Sequence, residues 1–120
     1  MSDVKSVIES GRAVLGIEFG STRIKAVLIG EDHAPIATGA HDWENMLVDG
    51  IWTYSLDMIW EGISDCYSKM AQDAKEKYGV TIKKLAAIGI SGMMHGYLPF
   101  DKEDNLLVPF RTWRNAITGE

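Results

Sequence analysis

The residues best suited to chemistry begin at Glu18, a carboxylate that ends an apolar run, Ala13 to Phe19, and is followed directly by Gly20-Ser21-Thr22. Turn amides and hydroxyls donate hydrogen bonds to phosphate oxygens, and a neighbouring carboxylate holds the accompanying magnesium directly or through water. Lys25 can add a cation to the same group. An ordinary hairpin, with an exposed Glu18 and a turn that needs only Gly20, accounts for the same residues. Neither a dinucleotide glycine fingerprint nor a P-loop is present, because the later glycines and the Gly-Lys-Ser/Thr ending are missing.

A second group lies in Gly89-Ile90-Ser91-Gly92-Met93-Met94-His95-Gly96, where an apolar strand delivers Ser91 and His95 into a glycine-flanked loop. Such loops hold sugar-binding or acid-base groups in α/β proteins, although a lone histidine also serves as a satisfied structural residue. A third group, Trp113-Arg114-Asn115, combines an indole face that complements carbohydrate C–H surface with an amide that can bridge hydroxyls. Docking of the chain's last segment is its plain structural alternative. Asp42-Trp43-Glu44-Asn45 offers a similar mixture, while Cys66 and Trp60 belong with packed helix residues.

These groups need a scaffold, and the periodicity supplies one. Residues 1–12 are weakly amphipathic and read as a flexible lead-in. Residues 13–19, 23–30 and 35–41 alternate as three antiparallel strands, with Pro35 suited to the first position of the third. The stretch 42–53 has no sustained period and reads as a loop. Ser55 caps a helix over 55–78 whose apolar stripe runs Leu56, Ile59, Trp60, Ile63, Tyr67, Met70, Ala74 and Tyr78, and Gly79 ends it. Leu85 to Ser91 then reads as a strand buried on both faces and parallel to the first. The class is α/β: a mixed sheet with an initial three-stranded antiparallel meander and a crossover helix.

At 120 residues, with 46% hydrophobic content, the chain has room for one domain and not two. Its net charge of -5 without a basic patch argues against nucleic acid and anionic membranes as partners. The lack of a long apolar run or a cleavable signal predicts no membrane association and a cytoplasmic setting. A single cysteine, Cys66, rules out an internal disulfide framework.

Two ordered motifs make residues 13–117 resemble the amino-terminal part of the FGGY carbohydrate kinase family. Gly16-Ile17-Glu18-Phe19-Gly20-Ser21-Thr22-Arg23-Ile24-Lys25 resembles the family's first phosphate motif, and Ile90-Ser91-Gly92-Met93-Met94-His95-Gly96 its xylulokinase-like sugar motif. Trp113-Arg114-Asn115 is similar, more weakly, to the family's sugar-side tryptophan followed by an acidic residue. The chain departs from the pattern at Glu18 and Asn115, where aspartate is common, and at Met93, where xylulokinases commonly have glutamine.

The resemblance implies a ribonuclease H-like fold of the hexokinase and actin superfamily, here as a partial domain over 13–120. It implies ATP and Mg2+ as cofactors of a full-length parent that phosphorylates a sugar or polyol, a ketopentose such as xylulose. Glu18 is then the magnesium residue; Gly20, Ser21, Thr22 and Lys25 bind phosphate; Met94, His95, Trp113 and Asn115 form the sugar side. No catalytic residue falls within the chain, because the family's general-base aspartate and most of its nucleotide pocket lie downstream. The partners implied are the sugar or polyol and the remainder of the kinase chain, with turnover absent from the 120 residues alone. Self-association through unpaired sheet edges is expected of such a piece. Two other readings remain: a non-catalytic sugar-binding or regulatory module, and a structural domain that binds a protein partner.

Overall fold

A computed structural model describes residues 3–93 and 96–115. Val14–Phe19 (β1), Arg23–Ile29 (β2) and Pro35–Asp42 (β3) form the expected antiparallel meander, and Pro35 opens β3. After a short hairpin of Met46–Val48 (β4) and Ile51–Thr53 (β5), the chain enters the long helix Leu56–Tyr78 (αB) and then β6, Ala87–Gly92, beyond which Tyr97 bridges Arg111 and Phe100 bridges Leu106. The sheet order is β3-β2-β1-β6, with β6 parallel to β1.

The long helix follows its sequence signals closely. The Ser55 hydroxyl accepts the Met58 amide at 3.1 Å, Asp57 sits in the positive first turn, and Gly79 closes the helix in the left-handed region at φ 68°. On the sheet, alternation sends Ile24, Ala26 and Leu28 to one face, where all three are fully buried with Cys66, Met70 and Ala74 of αB. Two glycines permit this close approach. A Cβ on Gly39 would collide with the backbone of Cys66 and Met70, and one on Gly62 would collide with the Ile24 side chain.

Four expectations change. The opening dozen residues hold a short helix, Val4–Glu9 (αA), whose Asp3 cap accepts the Lys5 amide and whose Val7 and Ile8 are buried. Two apolar side chains per turn anchor it to the core despite its weak pattern. The stretch 42–53 continues β3 to Asp42 and then forms the β4–β5 hairpin, whose Asp49 and Gly50 take φ of 50° and 79°. Positive φ at both central residues matches the right-handed strand twist, and Asp-Gly is the usual sequence for it. Trp60 is 65% exposed, because the buried line of αB runs through Gly62, Cys66, Met70 and Ala74. Finally, β6 is an edge strand exposed along its whole length, with Ile88 at 57% and Ile90 at 70%. Its apolar sequence anticipates a cover that αB does not supply, since the helix packs over β3 and β2.

Candidate functional site

The parallel pairing of β1 with β6 decides where the site forms. Glu18 lies opposite Ser91 and Phe19 opposite Gly92, so the turn after β1 and the segment after β6 leave the sheet at the same end. Motifs about seventy residues apart thereby become neighbours, at the carboxyl ends of adjacent parallel strands where α/β proteins bind ligands. In the other direction Glu18 pairs with Lys25 of β2. In-register partners share a face, so Lys25, Glu18 and Ser91 form a row across the sheet on the side away from αB.

The Gly20-Ser21-Thr22 turn is tightly held. Its first amide donates to the Arg23 carbonyl at 2.9 Å, and a Cβ on Gly20 would lie 2.9 Å from that oxygen, which explains the glycine. The Gly20 carbonyl accepts the Trp43 indole N–H at 2.7 Å, the Ser21 carbonyl accepts the Tyr54 hydroxyl at 2.5 Å, and the Thr22 carbonyl accepts the Trp43 amide at 3.1 Å. Trp43 and Tyr54 stack at 3.9 Å and are flanked by Phe19 and Phe110. Burial, reinforced by the Glu44 carboxylate, raises the Tyr54 phenol above its ordinary pKa of 10.0.

Magnesium suits this end of the sheet only as a shared ligand. Glu18 is an exposed carboxylate, and no cluster of three or more metal-binding side chains occurs among the described residues. Magnesium keeps waters and takes one or two carboxylates together with substrate phosphate, which matches a lone Glu18 beside a turn rich in donors.

The sugar-side residues are less fully displayed. Met94 and His95 lie outside the described residues, but their neighbours Met93 and Gly96 line an apolar cleft of about 590 Å3 with Phe19, Trp43, Trp60 and Phe110. The Met93 sulfur stands 4.0 Å from the Tyr54 hydroxyl, which ties this segment to the Gly20-Ser21-Thr22 turn. Trp113 is 52% exposed, as a stacking platform requires. Asn115 is already committed: its Oδ1 accepts the Trp52 amide at 2.8 Å, and its Nδ2 donates to the carbonyls of Trp52 at 2.7 Å and Thr112 at 3.1 Å. A carboxylate could not donate those two bonds, which gives the departure from aspartate a physical reason. The Arg114 guanidinium covers the Trp52 ring at 4.0 Å and reinforces the same junction.

The sequence offers Trp43 only within Asp42-Trp43-Glu44-Asn45, as a further sugar-stacking group, and Tyr54 not at all; neither is read there as a residue that grips the turn. The signal was faint: Trp43 falls in a stretch without periodicity, and Tyr54 stands alone between that stretch and the helix cap.

The mixed sheet, the crossover helix and the convergence of two motifs at one sheet end define the class, and comparison with known proteins supplies the family. The amino-terminal domain of the FGGY family of carbohydrate kinases matches residues 13–120, and the chain belongs to that family. Its fold is the actin and hexokinase-like one seen in solved sugar kinases. A xyloylose kinase from Brucella ovis superposes with a TM-score of 0.71 at 21% identity, over 88% of this chain and 22% of that one. A gluconate kinase from Lactobacillus acidophilus gives 0.65 at 22% identity, over 84% and 19%. A xylulose kinase from Rhodospirillum rubrum gives 0.63 at 19% identity, over 82% and 20%. The chain therefore spans about a fifth of the length of these structures. No curated protein sequence matches it. Among the described residues no helix is long and apolar enough to cross a membrane.

Proposed function

We propose that the chain forms the amino-terminal, sugar-and-phosphate side of an ATP-dependent carbohydrate kinase whose substrate is a sugar or polyol, a ketopentose such as xylulose. The β1–β6 register carries this reading, because it sets the phosphate turn beside the segment that bears Met94 and His95. In the reaction the sugar hydroxyl oxygen bonds to the γ-phosphorus, the bond to the bridging oxygen of ADP breaks, and the hydroxyl proton passes to a general base. By the family resemblance that base is an aspartate downstream of both motifs, and the expectation that follows is no turnover by the 120 residues alone.

Within this division of labour the amides and hydroxyls of Ser21 and Thr22 steady the transferred phosphate, Gly20 lets it approach closely, and Lys25 adds positive charge. Bound magnesium would neutralise charge on the phosphate oxygens, with Glu18 as its protein ligand. Met94, His95 and Trp113 contact the sugar, and Asn115 belongs to the same side while tying its segment to Trp52. The other partner is the rest of the kinase chain, which closes the cleft and excludes water. The setting is cytoplasmic, in keeping with the buried, unpaired Cys66.

Incubation with ATP, MgCl2 and a panel of xylulose, ribulose and related polyols is expected to yield no phosphorylated sugar. Tripolyphosphate with MgCl2 is expected to bind, and Glu18→Gln to weaken that binding about tenfold by removing one charged ligand. Magnesium-dependent turnover by the 120 residues would overturn the inactivity, and failure to bind any pentulose, hexulose or polyol would remove the sugar reading.

A further inference from the structure

Trans peptides fix a relation between neighbouring groups: each carbonyl points opposite to the N–H of the next residue. No cis peptide occurs among the described residues, so the directions of the carbonyls in the Gly20-Ser21-Thr22 turn determine those of its amides. The Gly20 carbonyl is drawn to the Trp43 indole, which turns the Ser21 N–H away from that ring. The Ser21 carbonyl is drawn to the Tyr54 hydroxyl, which turns the Thr22 N–H away in the same manner. Neither N–H donates to another group among the described residues. A turn left to itself could rotate these peptide planes at little cost; here two buried aromatics hold them.

The Tyr54 proton has a defined direction. Asn45 Nδ2 donates to the phenol oxygen at 3.2 Å, so the phenol's own single proton is left for the Ser21 carbonyl. Stacking on Trp43 fixes the ring, and burial raises the phenol's pKa. Trp43 contributes twice, since its backbone amide holds the Thr22 carbonyl while its indole holds that of Gly20. All three carbonyls of the turn are thus engaged from one side, and its two free donors face the other.

We propose that Trp43 and Tyr54 are positioning residues for phosphate: they hold the turn by its carbonyls and thereby present the Ser21 and Thr22 amides to the transferred group. This inference rests on the phosphate reading of the turn. Neither aromatic touches phosphate; both act through the peptide planes, which are preorganised before any ligand arrives. The aromatic stack also carries the arrangement to the sugar side, through Met93 against the Tyr54 hydroxyl and Phe110 against its ring.

The test is nuclear magnetic resonance on the 120-residue chain with tripolyphosphate and MgCl2 as the probe. Tyr54→Phe keeps the stacked ring and deletes only the donor, Trp43→Phe deletes the indole donor, and Tyr78→Phe at the far end of αB is the control. Saturable shifts at the Ser21 and Thr22 amides are expected in the wild type and in Tyr78→Phe. Tyr54→Phe is expected to weaken binding about three- to tenfold, the effect of one hydrogen bond. It should also change the N–H dipolar couplings of Ser21 and Thr22 in the free protein, which a merely stabilising residue would leave in place. If Trp43→Phe does not fold, Tyr54→Phe decides alone. Equal affinity and unchanged couplings in a folded Tyr54→Phe protein would overturn the clamp while leaving the phosphate reading intact. No response of Ser21 or Thr22 in the wild type would overturn the phosphate reading, and the clamp's role with it.

Discussion

The two edge strands of the sheet, β3 and β6, meet opposite fates. β3 is edged by αB: the Asp73 carboxylate accepts the Thr38 amide at 3.0 Å, the Lys69 ammonium donates to the Ala40 carbonyl at 3.2 Å, and Gly39 lies directly under the helix backbone. Two of its outer polar groups are thus satisfied and its pairing edge is blunted. β6 is the more apolar strand, yet it is exposed throughout, and among the described residues no side-chain hydrogen bond reaches it. Composition therefore does not decide which edge is covered. Position relative to the one long helix does, and the open end of β6 leads into Met93 and the apolar cleft. The Gly20-Ser21-Thr22 turn sits between these extremes, its carbonyls held by Trp43 and Tyr54 on one side.

The sharpest way to break this contrast is to lift αB from β3. Gly39→Ala forces a Cβ into the helix backbone, which cannot move aside as a side chain could, and is expected to cost about 3 kcal/mol or more in urea unfolding. A cost below about 1 kcal/mol would show that the helix does not press on this strand. Met70→Ala, which empties a fully buried site, is expected to cost about 2–4 kcal/mol in the same measurement.

Acid should loosen the covered edge next. Asp73 is held below the ordinary carboxylate value of 3.8 first by the Thr38 amide and then by Lys77. Asp65 is held below the same value first by its hydrogen bond with His41 and then by Lys69. Because both folded values are lowered, the unfolded chain binds more protons as acid is added. Their stabilisation is complete above the unfolded value, about pH 4, and is lost as pH falls through the folded values. The thermal midpoint is expected to decline in that window and to decline less in Asp73→Asn; equal slopes for the two proteins would contradict it.

The smallest effect on stability belongs to the open edge. Ile90→Thr keeps β-branching while removing exposed apolar surface, and is expected to change unfolding by less than about 0.5 kcal/mol. Sedimentation over a range of concentrations should show reduced self-association in this variant if the β6 edge is the contact. A stability loss as large as that of Met70→Ala would mean that β6 is covered after all.

Local signals accounted for much of the architecture. The alternation in β1 to β3, the Ser55 cap, the Gly79 stop and the 3.6-residue stripe all depend on neighbours in sequence, and each element formed where its pattern lay. The glycine-hydroxyl turn was equally legible, since its geometry needs only Gly20 and the adjoining strands. What local pattern missed was part of the face that αB turns to the core. Trp60 shares the apolar spacing of αB yet faces outward, and Gly62, which is not part of that stripe, is where the helix meets Ile24.

Sequence by itself determined the residue types of the site, the strands and helix that carry them, and a resemblance specific enough to suggest the family. The parallel run of β6 was legible in the sequence; tertiary structure decided its direct pairing and register with β1, which bring Gly20-Ser21-Thr22 and the segment after Gly92 to one end of the sheet. It also decided that Trp43 and Tyr54, from a stretch with no period, grip the turn, and that the Asn115 amide is spent on Trp52. The physical reason is the same in each case: a propensity or a cap acts over a few residues, whereas hydrogen bonds between segments tens of residues apart exist only once the sheet order and the helix position are set.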